Sequence, residues 1–100
     1  MSTHAHIGTM QDDELVYIYL HFDGYPSHAL ETLKEHYNTQ EKVDELISMG
    51  DMSVLAVNIE TSIFYARDRH EEKVIHFGER NFLNGGVSYS YIFKISFKIL

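Results

Sequence analysis

The sequence predicts an α+β fold: a single antiparallel sheet of four to five strands with a two-helix hairpin packed on one face, in the order β-β-α-α-β-β-β. Three observations predict it. Leu15–Phe22 and Val87–Ile99 are rich in β-branched and aromatic residues and alternate in character along the chain. Between them, two consecutive segments carry apolar residues at helical spacing. Strong turn chemistry at Asp23-Gly24 and at Asn84-Gly85-Gly86 punctuates the chain between these runs.

In chain order, Ala5–Thr9 reads as a short strand and Gln11–Glu14 as a polar turn. In Leu15–Phe22, Val16, Ile18, Leu20 and Phe22 form one purely apolar face, suited to a core. Tyr17, Tyr19 and His21 form the other face, aromatic with polar tips, suited to a helix edge or a partner surface. The hexapeptide His21-Phe22-Asp23-Gly24-Tyr25-Pro26 holds the single proline of the chain. It is a strand-to-helix corner, in which Asp bonds its own backbone, Gly accepts positive φ and Pro biases Tyr25 away from helix. Ser27 is the expected N-cap of a helix to about Tyr37, with Ala29, Leu30, Leu33 and Tyr37 as its apolar stripe. Asn38 and Glu41 read as a capping box for a second helix, striped by Val43, Leu46 and Ile47 and ended by Gly50. Ile63–Ala66 and Lys73–Phe77 read as strands joined by the charged Arg67–Glu72.

The last segment alternates cleanly. Val87, Tyr89, Tyr91, Phe93, Ile95, Phe97 and Ile99 lie on one face of a single long strand. Such a strand outruns the usual length of about 5–6 residues. An unpaired apolar edge invites pairing, so the expectation is a homodimer with Tyr91, Phe93, Ile95 and Phe97 at the interface. Lys94 and Lys98 are the alternative, as charges guarding the edge of a monomer.

With 100 residues the chain is expected to be one domain, residues 1–100, with one modest core. A hydrophobic content of 44% argues for folding over disorder. The absence of cysteine rules out a disulfide framework, a thiol nucleophile and a cysteine-based zinc site, and suits a reducing cytoplasm. No signal peptide is read in Met1–Gln11, and no apolar run approaches the roughly 18 residues that span a bilayer. A formal charge of −7 has the wrong sign for direct nucleic-acid binding. It favours solubility, basic partners or imitation of nucleic acid.

The seven histidines are the compositional anomaly. His4 and His6 share a strand face, and His-X-His is a chelating spacing, against a plain reading as a solvated N-terminus. His21, Asp23 and His28 flank the corner and suggest an acid/base cluster. The plain reading gives Asp23 to the turn, His21 to the strand aromatics and His28 to an exposed first helical turn. Arg67-Asp68-Arg69 is either a guanidinium fork for an anion or a local salt-bridged turn. Glu31, Glu35, Glu41, Asp44 and Glu45 are either a phosphate-like row or a solvated helix face. No phosphate loop, nucleophile elbow or metal-ligand triad is present, so no cofactor, metal or catalytic residue is expected.

The hexapeptide, then Thr32-Leu33, His36-Tyr37, Glu41-Lys42-Val43, Glu45-Leu46-Ile47 and Gly50-Asp51-Met52-Ser53, resembles a family of small "HWDGYP" proteins found mainly in bacteriophage genomes and prophages. Tyr65-Ala66-Arg67-Asp68-Arg69 resembles that family's second, YGRDRG-like block. The resemblance spans roughly residues 15–72. Phe22 stands where the family usually has Trp, Leu20 where Cys is common, and Ala66 and His70 where it has glycines. The His70 replacement implies an altered turn. The family is largely without assigned function, so no catalytic residue carries over.

The resemblance implies a phage origin and a host-cytoplasmic setting. Together with size and acidity it gives the leading expectation. The chain is a binding protein, not an enzyme, that inhibits a host protein such as an antiviral defence component of the restriction, BREX or CRISPR class. Exposed aromatics and arginines dominate binding hot spots, which selects Tyr17, Tyr19, Tyr25, Arg67 and Arg69. Glu31, Glu35 and Glu45 would steer the approach. The alternatives are a small enzyme or ligand-binding domain centred on His21 and Asp23, and a phage assembly accessory protein.

Overall fold

A computed structural model describes residues 3–100 and shows an α+β fold built on one open mixed sheet. Strand β1 (Ala5–Gln11) turns through Asp12 and Asp13, both left-handed at φ 51° and 64°, into β2 (Glu14–Leu20). A two-residue turn of that hand matches the twist of the hairpin it joins. The chain then forms α1 (Ala29–His36), α2 (Gln40–Ser48), β3 (Met52–Val54), β4 (Ile63–Phe64) and the single turn α3 (Tyr65–Arg69). It ends with β5 (His76–Phe77), α4 (Glu79–Asn84), β6 (Tyr89–Phe93) and β7 (Phe97–Ile99).

The strand order is β4-β3-β2-β1-β6-β7, with β5 paired to β2 off this path. The expected all-antiparallel sheet is therefore corrected to a mixed one. β3 runs parallel to β2 because the two-helix hairpin carries the chain back before β3 begins, and β6 runs parallel to β1. β1, expected as a minor strand, lies between β2 and β6.

Val16, Ile18 and Leu20 of β2, with Ala5 and Ile7 of β1 and Tyr91 and Phe93 of β6, face Leu33, Val43, Leu46 and Ile47 from α1 and α2. Leu20, Leu33 and Leu46 are fully buried. Burial of such a side chain stabilises the fold by about 1.5–3 kcal/mol.

The helix ends differ from expectation by a residue or two. α1 starts at Ala29, because Tyr25 and Pro26 carbonyls accept the Ala29 and Glu31 amides at 2.8 and 3.2 Å; Ser27 does not cap it. Thr39, not Asn38, caps α2, its hydroxyl accepting the Lys42 amide at 3.2 Å. Gly50 ends that segment at φ 82°, as expected. In the hexapeptide the left-handed residue is Asp23, at φ 56°, rather than Gly24. Gly24 is needed for close approach instead: a Cβ there would lie 2.8 Å from Ala5 Cβ and 2.9 Å from the Thr3 carbonyl oxygen. Its amide donates to the Thr3 carbonyl (2.8 Å) and its carbonyl accepts the buried Tyr91 hydroxyl (2.6 Å), which locks the corner to the segment leading into β1 and to β6.

The long final strand is corrected to a hairpin. β6 and β7 pair antiparallel around Lys94-Ile95-Ser96, with Tyr91 opposite Ile99 and Phe93 opposite Phe97. The Phe93 and Phe97 rings meet edge to face at 5.2 Å. Tyr91, Phe93 and Phe97, expected at a dimer interface, are interior residues of this chain. Ile95 alone projects outward, 93% exposed at the hairpin tip. The strands expected at Ile63–Ala66 and Lys73–Phe77 shrink to two residues each. The first stops where Asp68 accepts the Phe64 amide at 2.8 Å and draws the chain into α3. No helix among the described residues is long and apolar enough to cross a membrane.

Candidate functional site

The sheet face away from α1 and α2 is polar and aromatic. Alternation places His6 there from β1 and His4 from the residue before it, Tyr17, Tyr19 and His21 from β2 and its continuation, and Ser90 from β6. α4 lies over part of it, with Phe82 packed on Leu15, Tyr17 and Ile92.

β2 shares its outer edge between β3, which pairs at Leu20, and β5, which pairs at Val16 and Tyr17. The Tyr19 amide falls in the gap between them. The Asp51 carboxylate takes it at 2.9 Å, in place of a strand partner. The same carboxylate accepts His76 Nε2–H through both oxygens, at 2.9 and 3.0 Å. The His76 ring stacks on Tyr17 at 5.1 Å and 20°. Asp51 and His76 come from either side of α3, and the sheet edge brings them together.

His6 is 5% exposed and donates Nδ1–H to the Phe82 carbonyl at 2.9 Å. Burial pushes its pKa below the usual imidazole value, against the opposing pull of the Phe82 carbonyl, and the nearby His76 adds to the lowering. Burial, then the Asp51 charge, raises the Tyr17 hydroxyl; burial, Tyr65 and Asp51 raise Tyr19. His6, Tyr17, Tyr19, Asp51, His76, Asn81 and Gly85 line an open cleft of about 320 Å³. Gly85 shapes one wall, since a Cβ there would lie 2.8 Å from His6 Cε1.

Beside the cleft runs a second row of rings. His4 donates Nδ1–H to the His21 carbonyl at 2.7 Å, and its ring lies 4.7 Å from that of His21. The Tyr19 hydroxyl and His21 Nδ1 share a 3.1 Å hydrogen bond. The Phe22 ring, expected in the core with Val16, Ile18 and Leu20, is instead 39% exposed, since β2 ends at Leu20, and it meets His21 edge-on at 4.4 Å. Arg69 reaches the buried Ser53 hydroxyl at 3.3 Å and lies over the Tyr65 ring at 5.2 Å.

The residues singled out in the sequence fall into separate places. Tyr17, expected as an exposed contact, is instead buried at 3% exposure because His6, His76 and Phe82 pack around its ring; it lines the cleft with the half-buried Tyr19, and Arg69 lies near Ser53 at the β3 edge. Tyr25 is exposed on the corner, its ring 6.2 Å from that of His28. Arg67 is held by Asp68 in a bidentate pair at 2.9 and 3.0 Å and by the Ser62 carbonyl at 2.8 Å, which is the salt-bridged turn. Glu31, Glu35 and Glu45 are exposed on the helical layer, across the sheet from the aromatic rows. The suggested cluster of His21, Asp23 and His28 does not assemble: His21 joins Tyr19 and His4, while His28 bonds the Leu55 carbonyl at 3.0 Å. His4 and His6 each give Nδ1 to a main-chain carbonyl, and no set of three His, Asp or Glu among the described residues is arranged around a metal position.

Sequence reasoning missed Asp51, His76, Asn81 and Gly85. The one available signal was parity: His4, His6, Tyr17, Tyr19 and His21 share a face that no helical stripe was assigned to cover.

Fold and site together define an α+β domain whose mixed sheet is sealed on one face and open on the other. No protein-family model matches the chain, and searches of curated proteins and of solved structures found no match.

Proposed function

We propose that this chain is a phage-type protein that works by binding rather than catalysis, in the cytoplasm of a bacterial host, where it inhibits a host protein by occupying a functional surface. An antiviral defence component is the favoured target class. The observation that carries this reading is the row of half-buried rings His4, Tyr19 and His21 on a sheet face that α1 and α2 leave open, with the exposed Phe22 ring against His21 at its end. Rings of this kind bury much area at small entropic cost and dominate interface energetics. Arg69 and Tyr65, nearer β3, extend the same chemistry. The acidic helical face carrying Glu31, Glu35 and Glu45 supports steering toward a basic partner or imitation of nucleic acid.

The test is affinity capture from a bacterial lysate, followed by titration of the purified captured protein. The reading expects saturation at fixed stoichiometry and at least about tenfold weaker binding for Tyr19→Ala with Arg69→Ala, a loss typical of hot spots. Unchanged affinity in that variant contradicts it. Steep weakening with salt assigns the contact to the acidic helical face; a salt-insensitive complex removes the mimicry version.

A ligand-binding domain is the second reading. The Asp51–His76 pair opening into the cleft favours it, in place of the His21/Asp23 centre expected from sequence.

A further inference from the structure

We propose that the cleft lined by His6, Tyr17, Tyr19, Asp51, His76 and Asn81 binds a neutral planar cyclic amide of nucleobase size, whose ring carries an N–H beside a C=O. This goes beyond the protein-partner reading, and either can fail without the other.

Two side chains more than nine-tenths buried carry polar atoms without a partner. Tyr17 is 3% exposed and His6 is 5% exposed. The Tyr17 hydroxyl and His6 Nε2 have no hydrogen-bond partner among the described residues, yet no fully buried side-chain N or O there lacks one. Neither atom is therefore sealed, and both residues line the cleft. Both atoms are open to the cleft and free to bond an occupant, and a few convergent polar groups in one concavity are the usual mark of a ligand site.

The chemistry of the pair selects that occupant. His6 uses its Nδ1–H on the Phe82 carbonyl, which leaves Nε2 of the neutral ring as an acceptor. Burial holds the ring neutral. The Tyr17 hydroxyl is kept protonated and donates. An acceptor and a donor on neighbouring rings, their centroids 4.6 Å apart, suit a ligand that offers both an N–H and a C=O. Four of the lining residues, His6, Tyr17, Tyr19 and His76, are aromatic, which favours a flat ligand. The volume of about 320 Å³ lies at the small end of ligand sites. The lining holds Asp51 and no Lys or Arg, and the chain carries −7, so an added phosphate is disfavoured.

The test titrates the ¹⁵N-labelled full chain with uracil, hypoxanthine and their nucleosides. Parallel arms use the nucleoside 5′-monophosphates, an oligouridine and 1,3-dimethyluracil, which lacks the N–H. The expected result is a saturable shift of the His6 Nε2 and Tyr17 resonances by a base or nucleoside. The monophosphate should bind more weakly, dimethyluracil should not bind, and Tyr17→Phe should weaken binding about tenfold, the equivalent of one hydrogen bond. The dimethyluracil arm needs no variant and decides the matter if Tyr17→Phe does not fold. The proposal is overturned if no base or nucleoside gives a saturable shift up to about 10 mM, a limit near 3 kcal/mol of binding. It is also overturned if dimethyluracil binds as well as uracil, if Tyr17→Phe folds and binds unchanged, or if the oligonucleotide or monophosphate binds more tightly than the nucleoside.

Discussion

The two faces of this sheet are built from the same strands by opposite rules. On one, Val16, Ile18 and Leu20 meet Leu33, Val43, Leu46 and Ile47, and polar atoms are nearly excluded. On the other, His4, His6, Tyr17, Tyr19 and His21 are joined by hydrogen bonds, ring contacts and the Asp51 carboxylate. The first face supplies cohesion and tolerates little change. The second carries more polar groups than packing requires, and two of them are left open toward a cleft. A strand that alternates strictly can therefore serve stability with one set of residues and leave the other set free for the recognition proposed above.

Truncation should separate the faces most sharply. Leu46→Ala opens a cavity in the sealed face and should cost about 2–5 kcal/mol in denaturant unfolding. Tyr19→Ala on the open face should cost about 1 kcal/mol, because the ring is partly solvated. Equal losses would mean that the open face is a second core. Next, Tyr91→Phe removes the 2.6 Å bond to the Gly24 carbonyl and leaves a buried acceptor, costing about 1–3 kcal/mol by the same measurement. No loss there would show that the hexapeptide corner is not held from the core side.

His70 offers a gain. It ends α3 at φ 57°, a left-handed conformation that L side chains resist. The turn is thus made by the histidine in the conformation a glycine accepts most easily. His70→Gly should stabilise the chain by about 1 kcal/mol, with glycine's entropy already set against the relieved strain.

The smallest effect concerns pH. The lowered His6 pKa means that the unfolded chain binds a proton more readily than the folded one, so stability falls as pH drops below the ordinary histidine value near 6.5. The loss continues until the folded pKa is passed. His6→Gln should flatten the dependence of unfolding free energy on pH across that window; an unaltered slope would show that His6 does not govern it.

The sealed face was the legible one. Apolar alternation in Leu15–Phe22 and the stripes of the two helices are local patterns, and local patterns can be read. The final hairpin was not legible as such. A three-residue turn keeps Phe93 and Phe97 in the same parity as an uninterrupted strand would, so alternation alone does not distinguish the two. The place of β1 in the sheet depends on a parallel partner more than eighty residues away. The cleft was hidden for the same reason: Asp51 and His76 are 25 residues apart and meet only because β3 and β5 share one edge of β2.

The central claim is that recognition resides on the open face. The direct measurement is the affinity of the captured partner for two surface variants at constant salt. One carries Tyr19→Ala and Arg69→Ala; the other carries Glu31→Gln, Glu35→Gln and Glu45→Gln. The account predicts at least about tenfold weakening for the first and a smaller, salt-dependent loss for the second. A larger loss in the glutamate variant, with the aromatic variant unaffected, would move recognition to the helical layer and contradict the account.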